Sequence, residues 1–278
     1  MKIKYLILGK GFIGTKFSEF LENSVLSGKR INSVQDVESE IEKYNPEWVI
    51  NCIGKTGKPN VDWCEAHKNE TMFSNILVPI MILQACEETG KRMVHIGTGC
   101  IYEGNNQGKG FSEEDEPNFS GSYYSRTKMA IEKILKEFNV LQIRIRMPIN
   151  GETNERNLIT KLLRYDKIIN VPNSLTYVDD LMVAGEKLMQ LNATGIFNVV
   201  NPQPATHKQI LDSHNLVSPA KKEYSLITLS ELDKMTAARR SNCVLSTKKL
   251  NSLGIHLTPT QEAIKKSVAG YVEAENGK

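Results

Sequence analysis

Residues 5–14 read Tyr-Leu-Ile-Leu-Gly-Lys-Gly-Phe-Ile-Gly, and this stretch decides the fold. The apolar run at 5–8 predicts a short buried parallel strand that ends at Gly9. The glycines that follow form a G-x-G-x-x-G pattern before an amphipathic helix, where glycine allows a tight turn and close approach of a pyrophosphate. This order predicts a dinucleotide-binding site, with a purely structural turn as the alternative. The predicted cofactor contacts are Gly9, Gly11, Phe12, Ile13 and Gly14.

Strands and helices alternate along the first half of the chain. Periodicity predicts helices at 12–21, 34–44, 69–89 and 122–138, and strands at 48–53, 92–96 and 141–145. This alternation predicts an α/β fold, a Rossmann-like doubly wound parallel sheet with right-handed crossovers. The stretch 99–121 lacks periodicity and predicts a long loop, which in a compact domain is often functional.

The pattern becomes less regular after Pro148. Helices are predicted at 157–165 and 178–191, and a strand at 195–200. We therefore predict a Rossmann domain at 1–148 and a smaller C-terminal substrate-binding lobe at 149–278, partly interleaved with the Rossmann sheet.

Composition excludes several classes of protein. Among 278 residues, 35 Lys and Arg against 32 Asp and Glu give a net charge of +3, too balanced for a nucleic-acid or membrane-surface partner. Five scattered cysteines without a C-x-x-C pair, and five histidines without metal-like spacing, predict neither disulfides nor a metal site. No apolar run approaches the ~20 residues of a transmembrane helix. The start at Met1 leads directly into a strand without a signal-peptide pattern, so we expect a cytoplasmic protein.

The second strand predicts which dinucleotide binds. An acidic residue near the end of this strand, at 25–27, would bind a ribose 2′-hydroxyl, and none is present there. Lys29 and Arg30 follow instead and favour a 2′-phosphate, hence NADP(H), although two basic residues are also common by chance on a surface. Cys52 and Gly54 are assigned to the same cofactor site.

Tyr124 and Lys128 lie one helical turn apart and therefore share a helix face. An ammonium beside a phenol lowers a pKa that starts near ~10, so Tyr124 is a candidate proton donor to a carbonyl oxygen. Thr98 follows the strand at 92–96, at the sheet edge where ligands bind, and its hydroxyl could bind the same oxygen. The alternatives are an ordinary helix surface for the pair and a loop cap for Thr98.

Asn75 and Pro79 are four residues apart within the predicted helix 69–89. Because proline has no N–H, the carbonyl of Asn75 loses its helical donor, which predicts a kink. The free carbonyl could hold a water in a proton relay to Lys128, or the kink could serve packing alone.

The glycine pattern, Thr98, Tyr124 and Lys128 together resemble an extended short-chain dehydrogenase/reductase of the dTDP-4-dehydrorhamnose reductase type. Several segments are similar to the bifunctional nucleotide-sugar 3,5-epimerase/4-reductases of plants: 56–65, 97–103, 113–122, 144–149, 156–161, 171–174 and 240–242. The similarity covers nearly the whole chain and thins after about residue 205. The glycine motif is one residue shorter than the usual G-x-x-G-x-x-G, and the loop at 103–111 is shorter than in the plant enzymes.

The resemblance implies an enzyme that epimerises C3 and C5 of a UDP-4-keto-6-deoxyhexose and reduces C4 with NADPH, giving UDP-L-rhamnose. The family's acid–base pair falls on Cys100 and Lys161, and which of the two is the base stays open. Reductases without epimerase activity carry tyrosine at the position of Cys100. The choice of UDP or dTDP also stays open.

The resemblance also implies substrate contacts and a partner. Candidate substrate-binding residues are Thr98, Cys100, Arg156, Asn157 and Arg240. Dimers of the family form through the helices that carry Asn75 and Tyr124, so we expect a homodimer. The alternatives are a 4-reductase that requires a separate epimerase, and a non-catalytic NADP-binding regulatory subunit.

Overall fold

The computed structural model describes residues 2–277; Met1 and Lys278, the outer ends of the two predicted lobes, lie outside the described residues. The strands are β1 (Tyr5–Leu8), β2 (Ser24–Ser27), β3 (Trp48–Asn51), β4 (Arg92–Thr98), β5 (Leu141–Ile145), β6 (Pro148–Ile149), β7 (Lys167–Ile169), β8 (Thr176–Tyr177), β9 (Gly195–Asn198) and β10 (Ser225–Ile227). The helices are α1 (Phe12–Phe20), α2 (Val34–Tyr44), α3 (Asp62–Ala66), α4 (Lys68–Met72), a π-helical turn (Phe73–Leu77), α5 (Val78–Thr89), α6 (Tyr123–Leu135), α7 (Leu158–Leu163), α8 (Val178–Gln190), α9 (His207–Val217), α10 (Leu229–Met235), α11 (Lys248–Ser252) and α12 (Thr260–Asn276).

Six strands form one parallel sheet in the order β2-β1-β3-β4-β5-β9. Alternate residues of each strand face opposite sides, so Ile7 packs with α1 and α8 while Leu8 packs with α2, α5 and α6. The sheet is covered on both faces, which confirms the predicted doubly wound α/β fold. β9 and α8 come from the second half of the chain, so that half returns to the first sheet.

The remaining elements of the second half form a smaller core beside the sheet edge. α7, α9 and α12 pack together around a cluster that includes Ile159, Ile210 and Ile264. Two short sheets, β10-β7 and β6-β8, border this core. None of the helices between residues 2 and 277 combines the length and apolarity that a membrane crossing requires.

The predicted helix 69–89 is interrupted in the structure. α4 ends at Met72, a π-helical turn follows, and Val78 donates its N–H to the carbonyl of Phe73, five residues earlier. The irregular turn lies where Pro79 removes a helical donor, so the predicted kink takes the form of a π turn. Gly90, with φ 65°, ends α5 in the left-handed conformation.

The stretch between β4 and α6 is the long loop that the sequence predicts. Two isolated bridges attach it to a distant segment: Gly104 pairs with Cys243, and Phe111 pairs with Leu245. Tyr102 stacks on Phe111 beneath the loop, with ring centroids 4.5 Å apart. The loop is therefore ordered by residues from the second half of the chain.

We expect Gly185→Ala to destabilise the fold, because Gly185 is the point where α8 approaches α1. An added Cβ would lie 2.9 Å from the ring of Phe17, and overpacking of this kind costs about 1–3 kcal/mol. Chemical denaturation would measure this loss. Gly277→Ala is the matched control, since its Cβ would meet only the carbonyl of Glu273 at 3.4 Å. Equal stability of the two variants would contradict close packing between α1 and α8.

Candidate active site

The glycine turn between β1 and α1 forms a cradle at the edge of the sheet. Gly9 has φ 110°, and a Cβ on Gly14 would collide with the carbonyl of Gly9, so only glycine fits both positions. Gly11 directly precedes α1, and among the described residues no side chain caps the start of this helix. Nothing lies within 4 Å of the place where a Cβ on Gly11 would be. The first N–H groups of α1, from Phe12 and Ile13 onward, therefore suit an anionic ligand.

Cys52 and Gly54 border this cradle from the end of β3. The Cβ of Cys52 would lie 3.2 Å from a Cβ on Gly14, and Gly54 faces the side-chain oxygen of Asn75. Burial raises the pKa of Cys52 to about 12, so it is present as a thiol. Both residues lie where the sequence predicts cofactor contacts.

The two basic residues that follow β2 have different surroundings. Ser27 ends the strand and donates a hydrogen bond to the Glu40 carboxylate. Lys29 reaches α2, where its Nζ lies 2.8 Å from Ser39 Oγ and 3.3 Å from an oxygen of Asp36. Arg30 borders a cavity of about 550 Å³, together with Lys55 and residues of the π turn.

Tyr124 and Lys128 lie on α6, which begins after the Ser122 cap. Burial raises the pKa of Tyr124, and its hydrogen bond with Thr98 offsets only part of that effect. The expected lowering of this pKa by Lys128 was wrong for this structure. Lys128 Nζ instead lies 3.1 Å from His95 Nε2 and 3.1 Å from the carbonyl of Ile96.

Lys128 is itself perturbed by its surroundings. It is buried, and burial lowers its pKa from 10.5 to about 8, although the charges of Glu132 and Cys100 act in the opposite direction. An amine that titrates near neutral pH can exchange a proton with its neighbours during a reaction.

Thr98 is the last residue of β4, since the strand runs two residues further than the sequence predicts. Its Oγ1 accepts a hydrogen bond of 3.1 Å from the Cys100 N–H. The side chain of Thr98 also forms a hydrogen bond with the hydroxyl of Tyr124. The backbone turns at Cys100. The turn is held because Ser125 Oγ donates to the Cys100 carbonyl at 2.6 Å. Thr98 therefore both supports the loop and contacts Tyr124.

Arg146 was not predicted as a site residue, yet it contacts Cys100 directly. Its side chain is buried, and Nη1 donates to the Cys100 sulfur at 2.8 Å. Nη2 donates to Asn173 Oδ1 and to the Ser241 carbonyl, each at 2.6 Å. No carboxylate within residues 2–277 forms an ion pair with this guanidinium, so a permanent positive charge lies beside the sulfur. Its position just after β5, at the same sheet edge as Thr98, was the available sequence signal.

Lys161 lies on α7 and approaches the site from the smaller core. Burial lowers its pKa, and the charge of Arg156 adds to that effect, whereas Cys100 opposes it. The side chains of Lys161 and Cys100 are thus close enough to interact electrostatically. The joint role of this pair stays a prediction.

Arg156 and Asn157, two predicted substrate-binding residues, form hydrogen bonds within the chain. Arg156 donates to Thr56 Oγ1 and to the Gly57 carbonyl, at 2.8 and 2.7 Å. Asn157 caps α7 with its oxygen and donates from Nδ2 to Asn150 and Glu152, so its side chain is fully engaged within the chain.

Arg240 forms a two-pronged ion pair with Asp62, with both N···O distances 2.8 Å. This contact lowers the pKa of the Asp62 carboxyl group. Arg240 and Arg156 therefore both hold the segment 56–62 at the edge of the site.

The side chain of Asn75 connects the π turn to α6. Oδ1 accepts from the Lys55 N–H at 2.7 Å, and Nδ2 donates to the Lys55 carbonyl at 3.0 Å and to Thr127 Oγ1 at 3.2 Å. Thr127 directly precedes Lys128. The predicted water relay from the Asn75 carbonyl stays a prediction.

Among residues 2–277, no group of three His, Cys, Asp or Glu side chains is arranged to hold a metal ion.

Residues 6–273 match the profile of the RmlD substrate binding domain. The chain belongs to this family. An RmlD-family relative, the bifunctional dTDP-4-dehydrorhamnose 3,5-epimerase/dTDP-4-dehydrorhamnose reductase of Arabidopsis thaliana, is 37% identical over 286 residues, covering 99% of this chain and 94% of that protein. A trifunctional UDP-glucose 4,6-dehydratase/3,5-epimerase/reductase of the same plant is also 37% identical, but this chain spans only 42% of its length.

Solved structures show the same architecture. The UDP-rhamnose synthase of Acanthamoeba polyphaga mimivirus superimposes with a TM-score of 0.90 at 32% identity, covering 97% of this chain and 100% of that one. A dTDP-4-dehydrorhamnose reductase of Bacillus anthracis, solved in complex with NADP, superimposes with a TM-score of 0.81 at 20% identity, covering 97% and 99%. The second comparison supports the RmlD-type fold.

We expect Lys128→Met to change how stability depends on pH. The pKa of Lys128 is about 8 in the folded chain, against 10.5 for an ordinary lysine, so between these values the unfolded chain binds more protons. The native free energy of unfolding therefore gains about 3 kcal/mol as pH rises through this window, since one pKa unit corresponds to ~1.4 kcal/mol. The variant lacks this gain, so its stability relative to that of the native chain should fall between pH 7 and pH 10.

Urea denaturation at several pH values would measure that difference. Lys133→Met, which removes an exposed lysine from the same helix, is the control and should show no such pH dependence. A constant difference between Lys128→Met and the native chain would contradict a lowered pKa of Lys128.

Proposed function

We propose that this chain reduces the C4 ketone of a nucleotide-linked 4-keto-6-deoxyhexose with NADPH, after epimerising C3 and C5, and that the product is UDP-L-rhamnose. The observation that carries this proposal is the convergence of Thr98, Tyr124 and Cys100, with Lys161 on α7 close enough to Cys100 for an electrostatic interaction. The named activities of the plant and mimivirus relatives support the same reaction class.

The cofactor proposal rests on the cradle between β1 and α1. Its open space at Gly11 and its uncapped helix start fit a pyrophosphate, and Lys29 and Arg30 favour a 2′-phosphate. The Bacillus anthracis protein of the same fold binds NADP. Reduced NADP, when bound, supplies the hydride for the C4 carbon.

Tyr124 would supply the proton for reduction. Burial keeps its phenol neutral, which is the form that can donate to the C4 oxygen, and the hydrogen bond with Thr98 fixes its hydroxyl. Because burial lowers the pKa of Lys128 to about 8, its ammonium can release a proton near neutral pH.

Cys100 and Lys161 would carry out the epimerisation. Protons on C3 and C5 are acidic because the resulting carbanion is delocalised onto the C4 oxygen, where Thr98 and Tyr124 can donate hydrogen bonds. Inversion then needs a base on one ring face and an acid on the other. The guanidinium of Arg146 holds the sulfur of Cys100 in place for this step.

We also propose a homodimer, formed through the helices that carry Asn75 and Tyr124. Met72, Leu77 and Ile134 are apolar side chains of these elements and are 38, 37 and 38% exposed. Sedimentation would show the dimer, and charged substitution of Leu77 should dissociate it.

The two-lobe division at 148/149 and the cytoplasmic location remain predictions.

Incubation with UDP-4-keto-6-deoxyglucose and NADPH in deuterated water tests the reaction, with NMR of the product. We expect UDP-L-rhamnose with deuterium at C3 and C5. Cys100→Ala should lose at least about 100-fold of that incorporation, because positioned acid–base groups contribute 10²–10⁴-fold.

Cys86→Ala, which changes a buried cysteine of α5 across the sheet, is the matched control. Reduction of only a pre-epimerised substrate would show a 4-reductase alone. Bound cofactor without turnover of any 4-keto sugar would show a regulatory NADP-binding subunit.

We expect Gly11→Ala to weaken NADPH binding about tenfold or more without loss of fold. The added methyl group meets no protein atom within 4 Å but occupies the space proposed for the pyrophosphate. Fluorescence titration with NADPH measures the Kd, and thermal unfolding checks the fold. Unchanged affinity would place the cofactor elsewhere.

A further inference from the structure

Arg146 is an enclosed cation, and the proposed reaction steps use it only to hold Cys100 in place. The residue is 3% exposed. Within residues 2–277, no carboxylate forms an ion pair with its guanidinium. An enclosed charge is costly unless a neighbouring group carries the opposite charge, so the neighbours of Arg146 decide what the cation can do.

Neutral acceptors fix the guanidinium of Arg146 in place. Its Nη2 donates to Asn173 Oδ1 and to the Ser241 carbonyl, each at 2.6 Å. Asn173 is 1% exposed, and its Oδ1 also accepts a hydrogen bond of 3.0 Å from the Cys243 N–H. The Nδ2 of Asn173 donates to Asn242 Oδ1 at 3.0 Å. These contacts orient the guanidinium but do not compensate its charge.

Within residues 2–277, the titratable side chains other than Cys100 that respond to the charge of Arg146 are all neutral near pH 7. Burial raises the pKa values of Cys243 and Tyr124, so these residues are a thiol and a phenol. Burial lowers the pKa of His207 to about 4, and the charge of Arg146 adds to that effect, so the imidazole carries no charge. None of the three can compensate the guanidinium.

The sulfur of Cys100 is the remaining neighbour that can become an anion. Arg146 Nη1 donates to this sulfur at 2.8 Å. A guanidinium has only N–H donors, so the sulfur must be the acceptor, and an anionic acceptor forms the stronger hydrogen bond. Burial lowers the pKa values of Lys128 and Lys161, whereas the charge of Cys100 opposes that effect, so two further amines act on the same sulfur.

We propose that Arg146 is a positioning residue that stabilises negative charge on the sulfur of Cys100, so that this thiol can release and recover a proton during epimerisation. The proposal rests on the proposed function, whose epimerisation step it deepens. Burial alone would lower the pKa of Arg146, but its interactions with the sulfurs of Cys100 and Cys243 raise it, so the guanidinium stays charged. Unlike an amine, it does not compete for the proton that is being transferred.

Each inversion includes one stage at which Cys100 is an anion. One member of the pair Cys100 and Lys161 takes the proton from C3 or C5, and the electron pair of the broken C–H bond forms a C=C bond while the C4 carbonyl becomes an enolate. The other member then donates a proton to the opposite face of the same carbon, and the C4 carbonyl forms again. Cys100 is a thiolate before the first transfer if it is the base, and after the second if it is the acid. Arg146 stabilises the thiolate in both cases.

Two alkylating reagents of similar size test the charge beside Cys100 in the native chain, without substitution or turnover. Iodoacetate is an anion and iodoacetamide is neutral, and both react with the thiolate. Mass spectrometry of the Cys100 peptide gives the ratio of the iodoacetate rate to the iodoacetamide rate. We expect this ratio to be about tenfold or more higher in the folded chain than in the urea-unfolded chain, because a fixed cation attracts the anionic reagent. An equal ratio, or no reaction of Cys100 with either reagent, overturns the proposal.

Asn173→Asp tests whether Arg146 supplies this charge. The carboxylate keeps the acceptor for Nη2 but neutralises the guanidinium. We expect the reagent ratio to return towards that of the unfolded chain, and deuterium incorporation at C3 and C5 to fall about tenfold or more, while a pre-epimerised 4-keto sugar is still reduced. Asn192→Asp is the matched control and should alter neither readout, since it places a carboxylate beside Arg92 at the opposite end of the sheet.

Arg146→Met and Arg146→Lys separate charge from packing. Arg146→Met should lose both the raised reagent ratio and the deuterium incorporation, whereas Arg146→Lys keeps the positive charge and should retain part of each. Equal losses in these two variants would show a purely structural role and overturn the proposal.

The proposal and the proposed function fail in different ways. A native reagent ratio and native deuterium incorporation in Asn173→Asp and Arg146→Met overturn the role of Arg146. A native chain with the raised ratio that incorporates no deuterium into any 4-keto sugar overturns the proposed epimerisation and leaves the charge pairing standing. Where a variant does not fold, the reagent ratio of the native chain decides.

Discussion

The site depends on the need to satisfy polar groups that are buried where parallel strands end. β3, β4 and β5 deliver Asn51, Thr98 and, just beyond the last strand, Arg146 to one edge of the sheet. Each is enclosed, and each has found a partner from another element: His95, Tyr124 and Cys100, respectively. An unsatisfied group at such a position costs ~1–3 kcal/mol, so these contacts fix the side chains in place.

The short-range features of the fold were predictable from sequence. The glycine turn and helix α2 follow from local patterns, and so does the long loop before α6. Tyr124 and Lys128 could be placed on one helix face by spacing alone. The electrostatics of that pair could not, because spacing does not reveal burial: desolvation raises the pKa of Tyr124, and Lys128 turns to His95.

Contacts between distant segments account for most of what the sequence did not reveal. Arg146 is held by Asn173 and Ser241, and no local pattern links three such positions. Arg156 and Arg240 were predicted as substrate-binding residues, a role that stays a prediction, yet in the structure they hold the segment 56–62. The resemblance, rather than spacing, brought Cys100 and Lys161 into consideration.

The bridges from Gly104 to Cys243 and from Phe111 to Leu245 affect the order in which the protein can fold during its synthesis. While the ribosome is still adding residues 150–240, the nascent chain already contains the glycine turn and α6 but lacks the segment that ties down the Cys100 loop. Both bridges to this loop can form only after residue 245 has left the ribosome. The loop that carries Cys100 therefore gains these two bridges only after residues 243–245 have been synthesised.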